Sequence, residues 1–141
     1  MSAATNTPAR DRHRRSTLRG ATEVLVVTVV AAVVLALLLA ALVDASSEFQ
    51  PLQVGPVAVA TAVGVLVGLG VLLLMRRLGR EHLFALLVVA GTLLSLSGPL
   101  GLLSATPAEQ PGVSDPAALS LIPLHLLVGA AVAFLLPRRV R

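Results

Sequence analysis

The chain has 141 residues, of which 56% are hydrophobic and 13% are charged, and its formal net charge is +4. Soluble globular domains carry roughly 25% charged residues, so this chain lacks the charge to cover a surface exposed to water, and a lipid bilayer suits it better. The absence of cysteine excludes disulfides, thiolate metal sites and cysteine nucleophiles.

The chain begins with a polar, arginine-rich segment that has no apolar periodicity, and we expect residues 1–20 to form a disordered, basic cytoplasmic tail. Residues 24–43 follow without a single charge. A bilayer core about 30 Å thick requires roughly 20 apolar residues in a helix, so we predict a first span over residues 21–43. A cleaved signal peptide is the alternative, but its apolar region is usually only about 7–15 residues long. Retention as a membrane anchor is therefore favoured.

Three further apolar runs of similar length predict three more membrane spans, over residues 54–75, 83–104 and 117–136. Strands would be shorter, and a membrane barrel would alternate polar and apolar residues. Ser114 or Asp115 can cap the last helix, with Pro116 in its first turn, and Pro123 is expected to kink it. We therefore predict an all-α transmembrane domain over residues 21–137.

The arginines predict the orientation of this domain. They cluster in the N-terminal tail, in the link between the second and third spans, and in a short basic C-terminal tail over residues 138–141. The principal members of these clusters are Arg14, Arg15, Arg19, Arg76, Arg77, Arg80, Arg138 and Arg139. The other two links contain acidic residues and no arginine. The positive-inside rule then predicts a four-helix bundle with up-down-up-down topology, a multi-pass protein of the plasma (inner) membrane with both termini in the cytoplasm.

Small residues spaced four apart predict how the helices pack, because close approach of small residues drives helix association in lipid. One such stripe lies on the first span and another on the second: Ala32, Ala36 and Ala40, and Ala60, Gly64 and Gly68. We expect the two stripes to meet as an antiparallel pair within the monomer. Self-association through Gly64 and Gly68 is the alternative.

His125 is the only ionisable side chain well inside a predicted span. At 1.5 Å of rise per residue it lies about 12 Å below the outer boundary, at a depth similar to that of Ser95 and Ser97 on the third span. An imidazole in lipid must be neutral and hydrogen-bonded, and a serine hydroxyl or the carbonyl freed by Pro123 is a suitable partner. Two interpretations stay open: His125 locks the third and fourth helices together, or it relays protons or binds a ligand.

Two segments resemble a known family: SLSGPL at residues 95–100 and LHLLVGAAVAFLLPRR at residues 124–139. Small actinobacterial membrane proteins, classed as a domain of unknown function, have an arginine-rich N-terminal tail, four spans, and similar segments in the third and fourth helices. The resemblance covers nearly the whole chain. It implies a paired site formed by Gly98, Pro99 and His125. The family supplies no catalytic residues to transfer to this chain.

These observations predict a small, non-enzymatic integral membrane protein with a structural or accessory role in the cell envelope. The alternative is an oligomeric transporter for ions or small molecules built around His125, Thr92, Ser95 and Ser97. No cofactor or metal site is predicted. The expected partners are the lipid bilayer and either further copies of the chain or another membrane protein. Nucleic acid is not an expected partner, because no aromatic residues are interleaved with the arginines.

Overall fold

The computed structural model describes the backbone of residues 7–140 and the side chains of residues 16–140. Within this part of the chain all regular structure is helical. Four helical segments are long and apolar enough to cross a bilayer, and we call them spans 1 to 4: Ser16–Leu42, Val54–Arg77, Glu81–Leu102 and Asp115–Arg139. The prediction of an all-α, four-span membrane protein is confirmed at this level.

The first helix, α1, covers Thr7–Leu42 and therefore begins well before the apolar run. The expectation of a disordered tail over residues 1–20 is wrong from Thr7 onward, while residues 1–6 lie outside the described residues. Once span 1 is helical the costly nucleation step is complete, and each added residue gains one backbone hydrogen bond. At the membrane edge, Arg19 Nε donates to Glu23 Oε1 over 3.2 Å, a pair one turn apart that supports this extension.

Span 1 ends in a tight reversal at Asp44, whose φ of 48° lies in the left-handed region. The backbone N–H of Ala45 donates to the carbonyl of Ala40 over 2.9 Å, which satisfies one of the carbonyls left free at the helix end. A short 3₁₀ turn, Gln50–Leu52, then leads into α2, Val54–Arg77.

The same type of reversal ends α2, this time with a glycine in the left-handed position. Gly79 has a φ of 66°, and the backbone N–H of Arg80 donates to the carbonyl of Met75 over 2.8 Å. Because glycine reaches this conformation without steric cost, the chain turns within three residues, and the 3₁₀ turn Glu81–Leu83 starts span 3.

Prolines explain the interruptions in spans 3 and 4. Span 3 continues as α3, Phe84–Ser95, and α4, Ser97–Leu102; span 4 begins as α5, Asp115–Leu119, and α6, Leu121–Ala130. In each span the first helix ends four residues before a proline, Pro99 or Pro123. A proline ring clashes with the carbonyl four residues earlier and provides no N–H to bond it, so the regular helix stops at that residue. The kink predicted at Pro123 appears as the interruption between α5 and α6.

The two ends of span 4 also follow from local sequence. The Ser114 side chain accepts a hydrogen bond from the backbone N–H of Ala117, as the predicted cap requires, and Pro116 lies in the first turn. After α6 the chain widens into one π-helical turn, Ala131–Leu135, before α7, Leu136–Arg139. Pro137 lies in α7, where its ring disfavours a regular α-helical turn on its N-terminal side.

Two apolar clusters fill the interior, one toward each end of the helices. The first cluster joins span 1 to the 1–2 link and to the beginnings of spans 2 and 4: Ala32, Ala36, Phe49, Leu52, Val57, Ala117, Leu121 and Leu124. The second joins the beginnings of spans 1 and 3 to the ends of spans 2 and 4: Val24, Val65, Leu72, Phe84, Val132, Leu136 and Val140. Large leucine and valine side chains cover the outside of all four spans, as a surface solvated by lipid requires. The chain is a multi-pass membrane protein.

Candidate functional site

A cavity of about 940 Å³ lies between spans 2, 3 and 4, and we call it the groove. Spans 2 and 3 form its walls, and span 4 lies between them as its floor. Small and polar residues from all three spans contribute to its lining: Ala60, Thr61, Gly64 and Gly68 on span 2, Gly91, Thr92 and Ser95 on span 3, and His125 and Gly129 on span 4.

The contact between span 2 and the floor depends on two glycines. A Cβ at Gly64 would lie 3.4 Å from Val128 Cγ1, and a Cβ at Gly68 would overlap Val132 Cγ1. The second small-residue stripe therefore packs against span 4 rather than span 1. Its first member, Ala60, is exposed in the groove. Both glycines are in use within the monomer, as the intramolecular interpretation expects, although with a different partner helix.

The stripe on span 1 is used for packing along most of its length. Ala32 and Ala36 are fully buried, and Ala40 is half-buried. Their partners in the first apolar cluster include Val57 of span 2 and Leu121 of span 4. Span 1 thus packs against spans 2 and 4 together, which places it on the side of the bundle away from the groove.

The contact between span 3 and the floor is made by Thr92 and Gly129. A Cβ at Gly129 would overlap Thr92 Oγ1 and would lie 2.7 Å from its Cγ2. The sequence places the contact between spans 3 and 4 at the depth of His125, and this close approach lies about one helical turn away. His125 and Gly129 are four residues apart, so both lie on the face of span 4 that meets span 3.

Three of the polar side chains that line the groove, those of Thr92, Ser95 and His125, bond within their own helices. Thr92 Oγ1 donates to the carbonyl of Val88 over 2.8 Å, and Ser95 Oγ donates to the carbonyl of Thr92 over 2.7 Å. His125 Nδ1 lies 2.8 Å from the carbonyl oxygen of Leu121. Because a carbonyl only accepts, this contact places the ring proton on Nδ1 and leaves Nε2 as an acceptor.

His125 uses neither partner that the sequence suggests. It bonds the Leu121 carbonyl, and not a serine of span 3 or the carbonyl freed by Pro123, which is that of Leu119. In the part of the chain that the structure describes, no hydrogen bond joins His125 to Ser95 or Ser97. Ser95 shares the groove with His125, but Ser97 and Gly98 are exposed outside its lining and Pro99 is buried. The helix break after Ser95, which Pro99 causes, separates these residues from the face that meets span 4.

An ionic cluster lies at the end of the bundle where span 1 begins and span 4 ends. Glu23 accepts from Arg19, and its Oε2 lies 3.3 Å from Arg139 Nη1. About one helical turn before Glu23, Gly20 is buried directly against the backbone carbonyl of Arg139. The sequence analysis did not identify Gly20 as a packing residue. Because glycine has no side chain, its position at the edge of span 1 is compatible with such close backbone packing.

Arg76 connects spans 2, 3 and 4 at this same end. Its Nη2 lies 2.9 Å from Glu81 Oε1 and 3.5 Å from the carbonyl oxygen of Pro137. The side chains of Arg77 and Arg80 are exposed, and neither side chain has a hydrogen-bond or ion-pair partner within residues 16–140. The side chains of Arg14 and Arg15 lie outside the described ones.

The links at the opposite end carry Asp44, Glu48 and Glu109, and Asp115 begins span 4 there. The backbone N–H and the hydroxyl of Thr106 donate to Glu109, and these bonds hold the pKa of that carboxyl below its ordinary value. The two links touch where Gly112, with a φ of 72°, approaches the backbone nitrogen of the buried Phe49. Within the described residues no three histidine, aspartate or glutamate side chains converge as a metal site would need.

The sequence model of DUF6069, a family of unknown function, matches residues 8–141. The match includes all four spans and therefore every residue of the groove and of the ionic cluster. No curated protein and no solved structure matches the chain.

Proposed function

Since this chain belongs to DUF6069, a family of unknown function, we propose its role from its geometry. It is a non-enzymatic integral protein of the cell envelope, with a structural or accessory role, that holds an acyl chain of a membrane lipid in the groove between spans 2, 3 and 4. Its first partner is therefore the bilayer itself.

The observation that carries this proposal is the apolar character of a groove whose walls face lipid. Val63 and Val67 on span 2 are 53% and 61% exposed, and Leu87 on span 3 is 44% exposed, and all three line the groove. Lipid tails are as apolar as these side chains, and a concave apolar surface inside a bilayer is filled by the molecules that surround it.

The hydrogen bonding of the groove supports a binding role over catalysis or transport. A conducting path needs polar groups that replace the hydration shell of the substrate, whereas Thr92, Ser95 and His125 each bond a carbonyl of their own helix. Nucleophilic catalysis would need a hydroxyl bonded to a base, whereas the hydroxyls of Thr92 and Ser95 donate to backbone carbonyls.

The proposed orientation has up-down-up-down topology, with both termini in the cytoplasm and the protein in the plasma membrane. Gly20 of span 1 touches Arg139 of span 4, and Arg76 in the last turn of span 2 reaches Pro137 of span 4. These contacts support a common location for both chain ends and the basic link. The positive-inside rule assigns that end to the cytoplasm.

The experiment is native mass spectrometry of the detergent-purified protein after addition of dioleoyl phosphatidylcholine. The wild type should retain bound lipid, and Gly91→Leu should lose it, because Gly91 lines the groove and a Cβ there meets open space. The matched control is Gly70→Leu, which is the same change on an exposed position of span 2 outside the groove and with equal space.

Equal lipid retention by the Gly91→Leu and Gly70→Leu variants would contradict the proposal. So would proton flux through vesicles containing the wild type that disappears in a folded His125→Ala variant. That second result would establish the transporter alternative.

A further inference from the structure

We propose that the lipid held in the groove is an anionic phospholipid whose phosphate binds Arg77 and Arg80. This inference rests on the proposed lipid-binding role and names the headgroup that the site selects. It assigns a binding function to two arginines that otherwise only contribute to topology.

The position of the two arginines follows from the chain path around the groove. Spans 2 and 3 form its walls. Arg77 is the last residue of α2, and Arg80 lies in the link between the walls, immediately before the first turn of span 3. Both arginines are therefore at the end of the groove where its two walls are joined.

The distances suit a lipid whose tail lies in the groove. The lining residues nearest this end are Val71 on span 2 and Leu87 on span 3. Arg77 lies six residues beyond Val71, which is about 9 Å along a helix, and Arg80 precedes Leu87 by about 10 Å on the same scale. A phospholipid with its acyl chain against Val71 and Leu87 has its phosphate at this height, at the boundary of the hydrocarbon layer.

Positive charge is in excess at this end of the groove, and an anionic headgroup would neutralise part of it. Arg76 is already engaged by Glu81 and by the Pro137 carbonyl. Arg77 and Arg80 have no partner within residues 16–140, and the one acidic residue of the link region, Glu81, is in the ion pair with Arg76. Guanidinium groups bind phosphate oxygens in a bidentate manner, and basic pockets between transmembrane helices bind anionic headgroups.

The test compares the affinity for dioleoyl phosphatidylglycerol with that for dioleoyl phosphatidylcholine, measured by lipid titration in native mass spectrometry. The two lipids share the same tails and differ in headgroup charge. The wild type should prefer phosphatidylglycerol. The double variant Arg77→Gln/Arg80→Gln should lose that preference, by about fivefold for each arginine removed. Its affinity for phosphatidylcholine should fall less, because the choline cation offsets the charge of that lipid's phosphate.

Arg138→Gln is the matched control. Arg138 lies at the same end of the bundle, and its side chain is exposed and has no partner within residues 16–140. It belongs to the last turn of span 4 and not to either wall of the groove or the link between them. This variant should bind both lipids like the wild type. The proposal would be overturned if Arg138→Gln lost the preference to the same extent, or if the double variant kept it. Either result would indicate that the basic residues at this end attract anionic lipid together, without a specific site.

A third variant separates this inference from the proposed function. Gly91→Leu should weaken both lipids together, since it fills the groove and leaves the arginines in place. If Gly91→Leu binds both lipids like the wild type, the groove is not the lipid site and both proposals fail. If it weakens both lipids while the double variant still prefers phosphatidylglycerol, only the assignment of Arg77 and Arg80 fails.

Discussion

Gly129 allows spans 3 and 4 to touch, since its missing side chain leaves the space that Thr92 occupies. Thr92 cannot move away by rotating its side chain, because its own Cβ lies only 3.0 Å from where a Cβ at Gly129 would be. The hydroxyl is also held by its bond to the Val88 carbonyl. One residue pair thus determines how closely two helices approach.

Gly129→Ala should therefore destabilise the protein, by about 1–3 kcal/mol as overpacking in a filled contact does. The measurement is the free energy of unfolding in detergent, followed by circular dichroism with increasing denaturant. Gly91→Ala is the control, because its new methyl group meets nothing within 4 Å. Both changes raise helix propensity equally, so equal stabilities of the two variants would show that the contact with Thr92 does not constrain the bundle.

His125 illustrates where residue-level reasoning from sequence ends. Its depth and its need for a partner were predictable, because both follow from position along a helix and from the cost of an unpaired imidazole in lipid. The choice of partner was not. A histidine in a helix reaches the carbonyl four residues earlier as easily as a hydroxyl on a neighbouring helix, and only the rotation of spans 3 and 4 about their axes decides between them.

At the scale of whole elements, prolines divide spans 3 and 4 into shorter helices. Breaks after Ser95 and Leu119 each lie four residues before a proline, and a π-helical turn precedes Pro137. The rule is local, so the disturbance near Pro123 was predictable from the sequence. The loss of Ser97 and Gly98 from the face of span 3 that meets span 4 was not predicted. It follows from the break after Ser95, but which residues face span 4 depends on the packing of the two spans.

Arg76 holds three spans together at their common end. Arg76→Gln should lower the free energy of unfolding by about 0.5–1.5 kcal/mol, since it removes one partly exposed ion pair and one hydrogen bond to a helix-end carbonyl. The Arg76 side chain is 25% exposed and Glu81 is 54% exposed, which limits the effect. The measurement is unfolding in detergent without added phospholipid.

The neighbouring change Arg77→Gln is the control for this prediction. It removes the same charge from the next residue of the same helix, where the structure gives the side chain no partner. Its free energy of unfolding should match that of the wild type within about 0.5 kcal/mol, as for most surface substitutions. If both variants are destabilised alike, the loss reflects helix-end charge in general and not the bridge to spans 3 and 4.

At the scale of the whole molecule, the absence of cysteine makes the orientation directly measurable. Single cysteines introduced as Ser47→Cys, Leu78→Cys and Ala108→Cys place a thiol at an exposed position of each of the three links. A maleimide that cannot cross membranes should label the first and third in intact cells. It should label Leu78→Cys only after the membrane is opened, because the arginine-rich link stays in the cytoplasm.

Labelling of Leu78→Cys in intact cells, with protection of the other two, would mean that the protein has the opposite orientation. Labelling of Ser47→Cys without Ala108→Cys would mean that the number of membrane crossings between them is odd. Either result would overturn the proposed topology.

The sequence by itself determined the helical class, the number of apolar helices long enough to span a membrane, and a cap for the last helix at Ser114 or Asp115, of which the structure uses Ser114. All of these depend on the length of apolar runs or on backbone chemistry within a few residues, so they can be read along the chain. Only the tertiary structure decided that Gly64 and Gly68 meet span 4, that His125 bonds its own helix, and that spans 2 and 3 enclose a groove. Inside a bilayer, burial of apolar surface does not favour one helix face over another. The choice among several compatible small-residue faces therefore depends on how all four helices fit together in three dimensions.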